Sequence, residues 1–265
     1  MGGTDDSQAF KDFEAAGWSG NAAGYGALTG KITAHVAGPL LDAAGVGAGT
    51  TVLDVGCGHG DLCAAAAARG AQPTGVDLAE GMVDAARAAH PDLTFRVADA
   101  EALPFDDGAF DAVLSQLVVN FLDDPPAGVA EMRRVARPGG VVAACVWDYG
   151  GGTSPLSTFW DAARQLDPEV DDESGLAGAR AGHLAELFAA AGLREIEEAS
   201  LEVRTEHPSF EDWWEPYTFG VGPAGAYVRG LDPERRAELR ELCRERLPEA
   251  PFVVTASAWA ARGIA

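Results

Sequence analysis

The chain has 265 residues, with 19 Lys+Arg against 41 Asp+Glu and a formal net charge of −22. So acidic a molecule repels nucleic acid and anionic membrane surfaces at long range, which excludes both as expected partners. With 47% hydrophobic and 23% charged residues it is a globular chain long enough for one large core, without a run of membrane-spanning length or the basic, apolar start of a signal peptide, so a cytoplasmic location is expected.

Residues 8–30 are Gly/Ala-rich and amphipathic and carry Trp18 and Tyr25; a helical pattern over 32–44 stops at Gly45 and Gly47. Residues 51–55 (TVLDV) are a short apolar run before a glycine-rich loop, as a buried parallel strand is. A helix over 61–69 ends at Gly70, and 73–77 (PTGVD) reads as the second strand. There follow a helix over 81–90, strands over 93–97 and 110–115, a helix over 128–136 closed by Pro138-Gly139-Gly140, and a strand over 141–147. Strands alternating with helices at this spacing predict right-handed βαβ units and a doubly wound parallel sheet.

Past the glycine-rich break at 150–155, helical segments over 156–166 and 181–191 lead to an alternating strand over 195–204, and a last β-rich run covers 252–260. The aromatics Phe210, Trp213, Trp214, Tyr217, Phe219 and Tyr227 fall between these last two strands, in what reads as a helical insertion over the sheet's C-terminal edge. The expected organisation is an N-terminal helical lid (1–50), a ligand-binding core (51–148) and a C-terminal part (149–265) with the insertion at about 206–250. Cys57, Cys63, Cys145 and Cys243 make no C-x-x-C pair and no zinc spacing, so neither disulfides nor a metal are expected.

The densest chemical signal is the loop Gly56-Cys57-Gly58-His59-Gly60 after the first strand. Its glycines allow a tight turn and close approach of backbone to ligand, and the next helix points its first N–H groups into the crevice. Asp54 precedes the loop, where it can anchor it or accept from a cationic amino group; Asp77 ends the second strand, where a carboxylate can take both hydroxyls of a ribose; Asp99 follows the third, placed to meet an adenine edge.

Four segments in order, DVGCGHG (54–60), GVDLAEGM (75–82), DAEALPFDDGAFDAVLS (99–115) and EMRRVARPGG (131–140), resemble the class I S-adenosylmethionine-dependent methyltransferases of the ubiquinone/menaquinone-biosynthesis and small-molecule type. The resemblance implies a seven-stranded Rossmann-like sheet with its last strand antiparallel, and S-adenosylmethionine as cofactor with S-adenosylhomocysteine as product. By position it implies that Asp54, Gly56 and Gly58 hold the methionine part, with Cys57 also at the cofactor and Tyr25 reaching the carboxylate end. It places Asp77 on the ribose, Leu78 and Met82 along the apolar wall, Asp99 and Ala100 at the adenine with Glu101 also at the cofactor, and Gln116 near the sulfonium. A nicotinamide-dinucleotide site shares a glycine loop and a distal acid, but Asp61 stands here where the third glycine of G-x-G-x-x-G belongs.

Methyl transfer is an in-line displacement governed by positioning, and a base is needed only if the acceptor loses a proton. No catalytic residue is assigned. The family's frequent histidine pair after the fourth strand is replaced by Asn120-Phe121. Trp18, Asn120, Trp147, Trp214 and Tyr217 are the expected acceptor contacts, suiting a flat or apolar small molecule methylated at O, N or C. The alternatives are a non-methylating reaction in the same pocket, such as cyclisation or decarboxylation, and a non-catalytic binding protein. A monomer or homodimer without stable membrane association is expected.

Overall fold

The computed structural model describes Lys11, Ala15, Ala16, Trp18 and Ser19, residues 30–220 and residues 222–265. The Tyr25 expectation and most of the N-terminal lid lie outside these residues.

Helix α1 (Gly30–Ala43) leads into β1 (Thr51–Val55), α2 (Asp61–Ala68), β2 (Gln72–Asp77), α3 (Glu80–Ala89) and β3 (Thr94–Val97). Next come β4 (Phe110–Gln116), α4 (Pro125–Val135), β5 (Ala136–Trp147), α5 (Ser157–Leu166), α6 (His183–Ala190) and β6 (Arg194–His207). Short helices α7 (Phe210–Trp214) and α8 (Gly222–Gly230) and the longer α9 (Pro233–Arg246) precede the final strand β7 (Phe252–Ile264).

The strands form one sheet in the order β3-β2-β1-β4-β5-β7-β6. β7 runs antiparallel to both of its neighbours and the remaining pairs are parallel, as the resemblance implies. Alternation along the strands divides the core. Val52, Leu114 and Cys145 face α1, whose Val36, Leu40 and Leu41 are fully buried, while Leu53, Val113 and Val142 face α4 and α6 through Val129, Met132 and Phe188.

Boundaries depart from the sequence reading where a cap or a neighbouring strand decides them. Helix α4 starts at Pro125 rather than 128, because Asp124 accepts a hydrogen bond from the Ala127 N–H (3.0 Å) and proline suits a first helical position. β6 and β7 outrun their expected ends because they pair with each other from Arg194↔Ile264 to His207↔Phe252. β5 stops pairing with β7 at Trp147↔Ala258, so the far end of this hairpin projects beyond the sheet's C-terminal edge and carries Thr205, His207 and Ala256 there.

The helices between β6 and β7 do not build a cap alone. Phe159 and Trp160 of α5 share one buried cluster with Phe210, Trp213 and Trp214 of α7 and Leu239 of α9. Phe159 stacks on Tyr217 with centroids 4.6 Å apart. The cap therefore draws on chain from both sides of β6.

Candidate functional site

The strand order reverses between β1 and β4, so the crevice outside the C-terminal ends of the strands opens there. A cavity of about 130 Å³ occupies it. Its floor is the loop after β1, in which Gly56, Gly58 and Gly60 have φ of 76°, 50° and 84°. The Gly56 and Cys57 N–H groups donate to the Val76 carbonyl (2.8 Å each) and tie the loop to β2. The Gly58 N–H donates to Asp77 Oδ2 and the Ala79 N–H to Oδ1, both at 2.9 Å. Burial pushes the Asp77 carboxyl upward against the pull of these two donors.

The glycines differ in what they tolerate. A Cβ on Gly56 would lie 2.4 Å from Val118 Cγ2, whereas one on Gly58 meets nothing within 4 Å. Left-handed strain plus overpacking sets the expected cost of Gly56→Ala at about 3 kcal/mol. Thermal unfolding should show a Tm fall of roughly 6–12 °C for Gly56→Ala and a clearly smaller one for Gly58→Ala. Equal falls would contradict the close approach of Val118.

Of the expected cofactor residues, Gly56, Gly58, Asp77, Leu78 and Met82 line this cavity on the β1 and β2 side. Asp99, Ala100, Glu101 and Gln116 line it on the β3 and β4 side. The structure adds Lys11, whose ammonium meets Asp99 Oδ2 at 2.8 Å and Glu101 Oε2 at 2.6 Å. Desolvation works against that charge, yet hydrogen bonds to the two carboxylates hold it above the ordinary lysine value. No local sequence signal pairs a lysine with acids some ninety residues away.

Asp54 and Cys57 stand off the cavity wall. Asp54 is 1% exposed; its Oδ2 faces the Cys63 thiol at 3.5 Å and its Oδ1 has no partner among the described residues. Burial pushes its carboxyl up to about 7, the Cys63 contact offsets this only in part, and Asp77 and Asp61 add to the rise. Cys57 turns its side chain away from the crevice into a cluster with Cys63, Val83 and Phe95.

A second cavity, of about 160 Å³, lies beyond the first and shares Trp18, Leu117 and Phe121 with it. Leu117 is held at φ 62°, an uncommon angle for a side-chain-bearing residue, while its N–H donates to the Cys145 carbonyl (2.9 Å). Trp18 meets Phe121 edge to face, with centroids 5.5 Å apart.

Trp147 and Tyr217, expected at the acceptor, line this second cavity. Trp214 does not; Trp213 takes its place, because consecutive helical residues point about 100° apart and Trp214 is stacked on Phe210 inside the cap. Asn120 is 6% exposed in the 3-10 turn Val119–Phe121 and lines neither cavity. Three groups the sequence reading did not single out for this wall are Glu173, His207 and Asp212. Glu173 is 2% exposed and accepts from Trp160 Nε1 at 2.7 Å; burial pushes its carboxyl up to about 7 against the Trp160 and Tyr149 hydrogen bonds. His207 Nδ1 lies 2.9 Å from Asp212 Oδ2. Glu173 is distant in sequence from His207 and Asp212, and the three form no motif.

Among the described residues no group of three or more His, Cys, Asp or Glu could hold a metal ion, and no helix is long and apolar enough to cross a membrane.

Residues 53–144, which span β1 to β5, match the methyltransferase domain family. This stretch is a methyltransferase domain. A malonyl-[acyl-carrier protein] O-methyltransferase of Serratia marcescens is 39% identical over 121 residues, 46% of each chain. The chain thus aligns with about half the length of such curated relatives. A Haloferax volcanii chain solved in complex with the Trm112 methyltransferase activator is 25% identical, with a TM-score of 0.59 over 95% of this chain and 96% of that one. Geranyl diphosphate C-methyltransferase of Streptomyces coelicolor, solved with S-adenosyl-L-homocysteine, shares the fold at a TM-score of 0.52 and 18% identity, over 87% and 78% of the two chains. The methyltransferase domain supplies the floor and β-strand walls of the first cavity; the β6–β7 projection and the cap supply most of the second.

Proposed function

We propose that the first cavity binds S-adenosylmethionine and the second a small-molecule acceptor, and that the protein transfers the methyl group between them across Leu117. The observation that carries this reading is the shared wall. A glycine-floored crevice in a methyltransferase domain opens, through Trp18, Leu117 and Phe121, onto a separate aromatic cavity.

The residues present fit such a cofactor. Gly58 leaves open space at a floor position, and Asp54 Oδ1 behind the loop, without a partner among the described residues, is an acceptor suited to reach the ammonium of the methionine part through water. Gly56 completes the floor, Cys57 contributes main chain, Asp77 takes the ribose hydroxyls, Leu78 and Met82 the apolar wall. Asp99, Ala100 and Glu101 form the adenine end. Gln116, whose Nε2 is fixed on the Thr33 carbonyl (3.2 Å) and whose buried Oε1 has no partner among the described residues, faces the sulfur end.

Bound there, the cofactor supplies an electrophilic methyl group on a sulfonium. The protein's own task is to orient the acceptor and keep water out, and Trp18 and Phe121 do this at the junction. Four buried free cysteines suit a reducing, cytoplasmic compartment.

Titration calorimetry with S-adenosylmethionine, S-adenosylhomocysteine and NADH tests this reading. Binding of the first two and not the third is expected. Binding of NADH alone would replace the reading with a dinucleotide site.

A further inference from the structure

The second cavity is apolar in body and one-signed in charge. Trp147, Trp213 and Tyr217 give it aromatic walls, and its described charged lining consists of Glu173, Glu206 and Asp212 with His207 as the only group able to carry a positive charge. No described Lys or Arg lines it. A carboxylate or phosphate entering here would lose its hydration without gaining a fixed cation, which burial makes costly. An ammonium would meet a buried carboxylate and aromatic faces, both of which favour it in a desolvated site.

The geometry points to an apolar-bodied amine of aromatic size as the methyl acceptor, with Glu173 as its counter-ion and His207, positioned by Asp212, as the group that takes its proton. This rests on the methyl-transfer reading above. An ammonium cannot act as a nucleophile. Its N–H bond breaks with the electron pair left on nitrogen, and the proton passes to His207 Nε2, the Nδ1 being engaged by Asp212. The freed pair then forms the N–C bond to the methyl group as the C–S bond breaks with its pair left on a neutral thioether sulfur.

Glu173 is built for such a ligand. It is held by Trp160 Nε1 (2.7 Å) and by the Tyr149 side chain, so its carboxylate is oriented before anything binds. Burial raises it to about 7 in the empty cavity, and an incoming ammonium reverses that by favouring the charged form. The overall charge of −22 concentrates cations near the mouth in the same sense.

The test is calorimetric titration of the full chain, saturated with S-adenosylhomocysteine at pH 8, with tryptamine, 3-ethylindole and indole-3-propionate. These probes share one ring and differ in the charge of the tail. Tryptamine should bind at least about 10-fold more tightly than 3-ethylindole, the scale of one charge-assisted contact, and indole-3-propionate most weakly. Glu173→Gln, whose amide oxygen can still accept from Trp160, should bring tryptamine to within about 3-fold of 3-ethylindole while S-adenosylhomocysteine binds as before. Equal or tighter binding of indole-3-propionate, no binding of any probe to the saturated protein, or an amine preference untouched in Glu173→Gln would each overturn the assignment. Failure of the cofactor reading would show separately, as no binding of S-adenosylhomocysteine before any amine is added.

Discussion

Asp77→Ala should lower affinity for S-adenosylhomocysteine by about 100-fold, the loss expected when a carboxylate making two charged hydrogen bonds is removed. The effect has two sources. The carboxylate is the proposed ribose partner, and its oxygens also hold the Gly58 and Ala79 N–H groups at 2.9 Å, fixing the loop that forms the floor. Asp77→Asn separates them. Its single carbonyl oxygen satisfies one donor while its NH2 faces the other, so a loss of roughly 10-fold is expected. Calorimetry reads both variants, and unchanged affinity in Asp77→Ala would remove the β2 end from the site.

Asp54→Asn should do the reverse to stability. A carboxyl raised to about 7 in the folded protein, against an unfolded value of about 3.9, binds a proton in the folded state that the unfolded chain releases. Its contribution to stability is therefore complete below about pH 4, falls as pH rises, and is lost above about pH 7. At pH 8 the native state carries an almost fully buried charge with one oxygen unpartnered among the described residues, a cost of about 4 kcal/mol. Asp54→Asn should thus raise Tm at pH 8 by roughly 8–16 °C, with about a third of that gain at pH 5 and almost none near pH 3, while weakening S-adenosylhomocysteine binding. Thermal unfolding at the two pH values measures the first effect and calorimetry the second. A stability gain without loss of binding would show that Asp54 serves the loop alone.

This contrast explains which parts of the molecule were legible in the sequence. Strands such as 51–55 announce themselves because a buried parallel strand is mostly apolar and is ended by glycine, Gly56 because only glycine suits its backbone angle at so tight an approach to Val118, and Gly58 by its backbone angle alone. Boundaries set by partners were not legible. β6 continues to His207 because β7 pairs with it there, which local propensity does not encode. The exchange of Trp213 for Trp214 is of the same kind, since α7 has 5 residues and is too short to display a buried face as a period.

The second cavity was the least legible part. Glu173 lies in the turn after α5 and His207 at the end of β6, and only the overhang of β6 and β7 past Trp147 brings them onto one wall. Read singly, a buried glutamate and a strand-end histidine carry no signal. Lys11 is the converse case: a lone base near the start of the chain proves to cross to Asp99 and Glu101, closing the β3 end of the first cavity with an ion pair.

The most direct test of the two-cavity account is a crystal structure of the protein with S-adenosylhomocysteine. The account predicts the adenosine in the first cavity with its ribose on Asp77 and its sulfur toward Gln116 and Leu117, and the second cavity still open beyond Trp18 and Phe121. S-adenosylhomocysteine lying in the second cavity, or bound away from the loop after β1, would contradict it.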